Sequence, residues 1–371
     1  MNNDRRALLK GLAASLALSA CSRFKSSSAR PRRVLILGGT GFVGPAIVTA
    51  ALARGHVLTL FNRGKTQPGL FPGVETILGD RIVSLDSLRG RKWDAVIDTW
   101  GPGPTLVRRA AELLRDQVNQ YVFLSTISVY KLGRDSLDES SPVLPLPPGV
   151  EVGKPLKIDV STYGPLKALA EQAAEAAMPG RTTRIRAGLI VGPGDPSDRF
   201  LYWPLRLQRG GEVLVPGVAS DPMQFIDVRD LAQWIVSTIE NQRSGLYNVV
   251  GPSEPTIGAV LARMQAGLGS SARLTWVPSA WLAANQAGDW EDFPVAVAAD
   301  SPTSGFARVS AARALALGLR FRSPGETAKD TLAWWHAQPA ERQRQPRPGV
   351  GEAREAELLA RWHKSQNEAG K

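Results

Sequence analysis

The chain has 371 residues, 43% hydrophobic and 21% charged, enough to bury a large core as one α/β unit or as two unequal ones. A net charge of +11 would ordinarily point to nucleic acid or an anionic membrane surface, but residues 1–33 carry +7 of it and the rest of the chain only +4. His56, His336 and His363 are scattered and Cys21 is the single cysteine, which excludes a disulfide framework and leaves no cluster with metal-ligand spacing, so no metal is expected.

Residues 1–32 read as an arm outside the folded part. Arg5, Arg6 and Lys10 form a charged start, and residues 11–20 make an apolar run too short to span a bilayer, the layout of an export signal. The paired arginines resemble a twin-arginine signal, the class that carries folded proteins across a membrane. Leu18, Ser19, Ala20 and Cys21 look like a lipoprotein cleavage box, which would make Cys21 a lipid anchor and residues 22–32 a flexible tether. An exported protein of the periplasm or cell envelope is the expectation.

Residues 34–37 form an apolar run that fits a buried parallel strand, and Gly38, Gly41 and Gly44 fit a tight turn opening a helix over 42–54. A side chain in such a turn would keep the backbone from a pyrophosphate, whose charge is met by free amides and the helix dipole. A second strand at 57–61 ends in Asn62 and Arg63; no acid stands there to hold ribose hydroxyls, and an arginine favours the extra phosphate of NADP. Strands at 75–78 and 95–98 lead into Asp80, Arg81 and Thr99. A helix at 106–115 and a strand at 120–124 complete the β/α alternation of a doubly wound parallel sheet. Its carboxyl edge gathers the glycine turn and the residues after 98 and 124.

At that edge stand Ser125, Thr126, Ser128 and Tyr130, followed later by Tyr163 and Lys167, which lie on one face of a helix expected from 163 to about 177. A phenol ionises near 10, so a base at neutral pH needs a neighbouring cation, and Lys167 together with an oxidised nicotinamide would supply it. After a strand at 183–187 the chain builds a smaller, mixed part through 199–209, 213–215, 224–228 and 230–240. Asp227 and Asp230 are expected to cap and anchor a helix there. Residues 339–349 read as a linker to a terminal amphipathic helix at about 352–363.

Together the glycine turn, residues 125–130, the Tyr163/Lys167 pair and residues 225–232 resemble the extended short-chain dehydrogenase/reductases, in their NAD-dependent epimerase/dehydratase-like form. Some bacterial relatives carry the loose label isoflavone reductase. The resemblance spans residues 33–335. It implies a Rossmann-type dinucleotide-binding domain at 33–190, a substrate-binding part at 191–335, and a linker with terminal helix at 336–371. It implies catalysis by Tyr163, Lys167 and Thr126, with Ser125 and Ser128 as other hydroxyl candidates. NAD or NADP, with NADP favoured, would be held by Gly38, Thr40, Gly41, Phe42, Val43, Gly44, Asn62, Arg63, Asp80, Arg81, Thr99, Tyr163 and Lys167. The implied activity is that of an epimerase, dehydratase or oxidoreductase on a secondary alcohol or ketone of a sugar-like small molecule.

Two departures narrow the substrate. Met223 stands where nucleotide-sugar enzymes of this type place an arginine on the diphosphate, and a missing charge-assisted pair forfeits some 1.5–3 kcal/mol. Arg199, Arg206 and Arg209 are expected to decorate a helix rather than replace it. Second, the segment between Thr126 and Tyr163 is long and carries Pro142, Pro145, Pro147, Pro148 and Pro155, as a lid, a specificity element or a surface excursion. An exported enzyme would have to take up its nucleotide before export, which favours a tightly bound cofactor and a redox-neutral cycle. The rival reading is a non-catalytic, cofactor-bound scaffold or an RNA-binding protein, as in chloroplast stem-loop RNA-binding relatives. The modest body charge and the export signal argue against nucleic acid.

Overall fold

The computed structural model describes residues 30–101, 103–150, 152, 158–252, 256–345 and 347–369. Arg5, Arg6, Cys21 and the rest of residues 1–29 lie outside the described residues, as does Pro155. Residues from Arg32 onwards group as one compact unit.

Seven parallel strands form the central sheet: β1 (Arg33–Leu37), β2 (Val57–Asn62), β3 (Glu75–Leu78), β4 (Ala95–Asp98), β5 (Gln120–Thr126), β6 (Thr182–Ala187) and, after three short strands, β10 (Gly245–Val249). Their spatial order is β10-β6-β5-β4-β1-β2-β3, so the direction of winding reverses between β1 and β4, where a ligand crevice opens at the carboxyl ends. Helices cover both faces. α1 (Val43–Ala53) lies on one side, while α2 (Pro104–Leu114) and α3 (Val160–Ala177) pack together on the other. The central strands are buried on both faces, which is why β1 and β4 read as unbroken apolar runs.

The C-terminal part has its own core. β7 (Ile190–Val191) pairs with β9 (Ile226–Asp227), and β8 (Glu212–Pro216) with β11 (Arg273–Val277). Around them lie α4 (Tyr202–Arg209), α5 (Val228–Glu240), α6 (Ile257–Leu268), α7 (Pro324–His336) and α8 (Glu352–Ala369). α5 turns back on α1 beside the main sheet.

Three expectations need correction. α3 begins at Val160, not at Tyr163: Asp159 accepts from the Ser161 and Thr162 amides at 3.0 and 3.2 Å, and Thr162 Oγ1 accepts from the Asp159 amide at 3.0 Å, a reciprocal cap that starts the helix one turn earlier. The terminal helix runs on to Ala369, past its apolar stripe. And Arg206 does not decorate a surface: it is buried against Glu355 of α8 at 2.6 Å, Arg209 joins the same carboxylate at 2.5 Å, and Glu355 also accepts from the Leu214 amide at 3.1 Å. Both charges would be costly in this core alone, so the pair ties α8 to α4 and β8. Asp227 does cap α5, accepting from the Arg229 amide at 2.8 Å, and Asp230 holds the Arg322 amide at 2.7 Å.

Candidate active site

A groove of about 380 Å³ runs along the carboxyl edge, lined by residues 37–44, 61–66, 79–82, 99 and 100. Every residue that the sequence assigned to a nucleotide, apart from the Tyr163/Lys167 pair, lies along it. Gly38 has φ +117°, and a Cβ there would lie 2.3 Å from the Thr99 hydroxyl, which itself donates to the Leu37 carbonyl at 2.9 Å. A Cβ on Gly44 would sit 2.4 Å from the Gly39 carbonyl carbon. These two glycines are required by the fold. Gly41 is different: a Cβ there meets nothing within 4 Å, so only something occupying the groove would exclude a side chain. α1 begins at Val43 with no side-chain cap and no acid in its first turn, so its leading amides are left for an anion. The donor set and the open cradle fit a dinucleotide pyrophosphate.

Thr40 gives its carbonyl to Gln67 at 3.1 Å, which ties the loop after β2 across the glycine turn. Phe42 and Val43 form the wall at the start of α1. Asn62 shapes the next turn, accepting from the Gly64 amide at 2.8 Å and donating to the Gly38 carbonyl at 3.3 Å. Arg63 is exposed on the rim beside Lys65, and neither has an ion-pair partner among the described residues. Asp80 braces its own turn by accepting from the Ile82 amide at 2.9 Å. The Arg81 guanidinium is not free for a ligand: it clamps Asp98 through two bonds of 2.5 and 2.9 Å and also donates to the Trp100 carbonyl. What Arg81 offers the groove is its backbone.

Beyond β5, the Thr126 hydroxyl accepts from the Ser128 amide at 3.1 Å and lies near enough to the Tyr163 phenol to favour its ionised form. Tyr163 keeps 39% of its surface exposed. Ser128 accepts from Thr126 at 3.1 Å, whereas Ser125 is buried and spent on Glu171 at 2.5 Å, so Ser125 cannot reach a substrate. Burial around the Tyr163 hydroxyl pushes the phenol above its ordinary value, and the nearby Thr126 hydroxyl only partly offsets this. The expected lowering by Lys167 is absent from this geometry, because the ammonium points elsewhere. It donates to the Leu124 carbonyl at 2.5 Å and sits 4.0 Å from the centroid of the Phe123 ring.

Lys167 is 4% exposed, and burial brings its ammonium down from 10.5 to about 8 against the attraction of Asp98 and Glu171. The folded chain therefore gives up this proton near 8 and the unfolded chain near 10.5, so wild-type stability rises with pH across that window. Lys167→Met is expected to raise stability by up to about 3 kcal/mol at about pH 7, with the gain fading by about pH 10. Urea unfolding of both proteins at the two pH values measures it. Phe123, the Leu124 carbonyl and Asp98 have no role in the sequence analysis because they look like ordinary buried strand; Asp98, a charge ending an apolar strand, is the one among them whose residue type could have marked it.

Met223 is fully buried in the C-terminal core, so no guanidinium reaches out from that position. Among the described residues no group of three or more His, Cys, Asp and Glu side chains could hold a metal ion.

Residues 34–250 match the model of the NAD dependent epimerase/dehydratase family. The chain is 28% identical over 268 residues to the human epimerase family protein SDR39U1, covering 67% of this chain and 84% of that protein. It is 25% identical over 262 residues to the Arabidopsis thaliana chloroplast stem-loop binding protein of 41 kDa b, covering 65% of each. Among solved structures it is similar to human SDR39U1 with NADPH, with TM-score 0.53, 23% identity and coverage of 80% of this chain and 99% of that one. It is also similar to the UDP-Glc/GlcNAc 4-epimerase of Campylobacter jejuni, with TM-score 0.59, 15% identity and coverage of 81% and 98%.

Proposed function

We propose, for a chain that belongs to the NAD dependent epimerase/dehydratase family, an NAD(P)-dependent epimerase, dehydratase or oxidoreductase acting on a secondary alcohol or ketone of a sugar-like small molecule. The observation that carries this reading is the Tyr163 phenol beside the Thr126 hydroxyl at the sheet edge that bears the glycine-lined groove, with Lys167 one helical turn further on. Tyr163 gives or takes the proton at the substrate oxygen, and Thr126 orients that oxygen. Lys167, once turned from the Leu124 carbonyl, holds a ribose hydroxyl and favours the ionised phenol. A nicotinamide bound in the groove would supply the hydride chemistry at the substrate carbon.

NADP is favoured. Arg63 and Lys65 have no ion-pair partner among the described residues and stand on the rim where a 2′-phosphate would lie, and no carboxylate ends β2. Arg63→Ala is expected to weaken NADPH roughly tenfold and to leave NADH unchanged, as read by nicotinamide fluorescence titration. The buried Met223 argues for a substrate without a nucleoside diphosphate.

An exported, Cys21-anchored protein, read from Arg5, Arg6 and Cys21, would be loaded with nucleotide before crossing the membrane. A cofactor that is reduced and reoxidised within one turnover suits that route, so slow release and epimerase- or dehydratase-like chemistry follow. Dialysis of the exported protein and mass analysis of what remains bound decides: retained nicotinamide nucleotide supports the reading, and an active protein that emerges empty and consumes added cofactor at each turnover overturns it.

A further inference from the structure

Two buried carboxylates lie within electrostatic reach of Lys167, and neither pairs with it. Asp98, at the end of β4, is in register with Phe123 of β5, the residue whose ring carries the ammonium. Glu171 is one turn further along α3, in the i, i+4 relation that ordinarily lets a lysine and a glutamate meet. Lys167 nevertheless makes no ion pair among the described residues.

Each carboxylate is already occupied by an arginine. Arg81 holds Asp98 with both arms, at 2.5 and 2.9 Å, while the Tyr121 hydroxyl donates to the same carboxylate at 2.6 Å. Arg186 of β6 holds Glu171 at 2.8 and 3.1 Å, and Ser125 donates to it at 2.5 Å. A planar guanidinium fork outcompetes an ammonium for a carboxylate of fixed orientation. We propose that Arg81 and Arg186 are positioning residues for Lys167: by occupying Asp98 and Glu171 they leave its ammonium unpaired, resting on Phe123 and the Leu124 carbonyl, and free to turn to a ligand hydroxyl at the groove.

The charged and titratable groups about Lys167 are Asp98 from β4, Arg81 from the turn after β3, Tyr121 from β5, Arg186 from β6, and Tyr163 and Glu171 from α3 itself. Burial, Asp98, Glu171 and Arg81 together leave the lysine titrating near 8. Freeing either carboxylate would draw the ammonium into a closed pair and raise that midpoint. The inference rests on Lys167 as the ribose-holding lysine, but the arrangement can be tested with neither cofactor nor substrate.

The test is an NMR titration of full-length protein labelled at lysine Cε, with the Lys167 signal assigned by its loss in Lys167→Met. The wild type should titrate near 8. Arg81→Met and Arg186→Met should each move the midpoint up by about one unit, and Tyr121→Phe, which removes one donor from Asp98 while keeping the ring, by a few tenths. The double variant Arg81→Met/Asp98→Asn removes both charges of one pair and should return the midpoint towards the wild-type value. Breaking a buried pair can cost the fold, so Tyr121→Phe and the double variant decide if a single arginine variant does not fold. Arginines that act on Lys167 through their charge alone would raise the midpoint in the single arginine variants but leave it in place in Tyr121→Phe, which changes no charge. An unmoved midpoint in Tyr121→Phe overturns the inference, whatever the arginine variants do.

Discussion

Gly41→Val is expected to abolish NADPH binding while leaving the fold intact. A Cβ at Gly41 meets nothing within 4 Å, and the residue is not among those with positive φ, so valine is accommodated without strain. Its methyl groups would project into the groove at the start of α1, where the pyrophosphate has to approach the leading amides. Losing even two charge-assisted bonds there costs roughly 3 kcal/mol or more, about 100-fold in affinity. Gly44→Ala makes the contrast. Its methyl would collide with the Gly39 backbone at 2.4 Å, so binding would be lost along with the turn. Thermal unfolding beside fluorescence titration separates the cases: an unchanged Tm with no binding is the expectation for Gly41→Val, and normal NADPH affinity in that variant would mean that the cofactor does not lie along this turn.

Tyr163→Phe is expected to lower turnover by about 10²–10⁴ with cofactor affinity unchanged. Tyr163 lies beside Thr126 and is not among the residues lining the groove, so loss of its hydroxyl is expected to leave the nucleotide's contacts along the groove in place. Burial raises the Tyr163 phenol, so the free protein should carry it protonated, ready to act as an acid on a carbonyl; work as a base requires the cation of Lys167 and an oxidised nicotinamide beside it. A pH profile of turnover should therefore rise through a midpoint in the alcohol-oxidising direction, and that midpoint should vanish in the phenylalanine variant.

Much of the doubly wound sheet was legible in the sequence, because parallel strands buried on both faces leave unbroken apolar runs, as in β1 and β4, and because glycine spacing marks the turn. The groove residues from Gly38 to Thr99 could be placed there because they sit at the end of a strand or in the turn and first helical residues that follow it. Side-chain direction was not legible. Arg81 reads as a groove contact but is drawn into Asp98, and Lys167 reads as a partner of Tyr163 but turns to the Leu124 carbonyl. Arg206 reads as a surface charge because Glu355, which buries it, stands 149 residues away in sequence. Long-range pairs of this kind leave no local periodicity. The start of α3 was missed for a different reason: the Asp159/Thr162 cap precedes the Tyr163/Lys167 motif and carries no apolar pattern of its own.

The central claim is that Tyr163 moves the proton while a nicotinamide bound along the Gly38–Gly44 turn exchanges the hydride. The most direct measurement loads wild type and Tyr163→Phe with equal amounts of oxidised cofactor, adds a panel of nucleotide-free secondary alcohols and polyols, and follows the appearance of reduced nicotinamide by fluorescence in a single turnover. Reduction by at least one compound in the wild type, slowed by about 100-fold or more in the variant at equal occupancy, is the result predicted. Equal rates in the two proteins would contradict it.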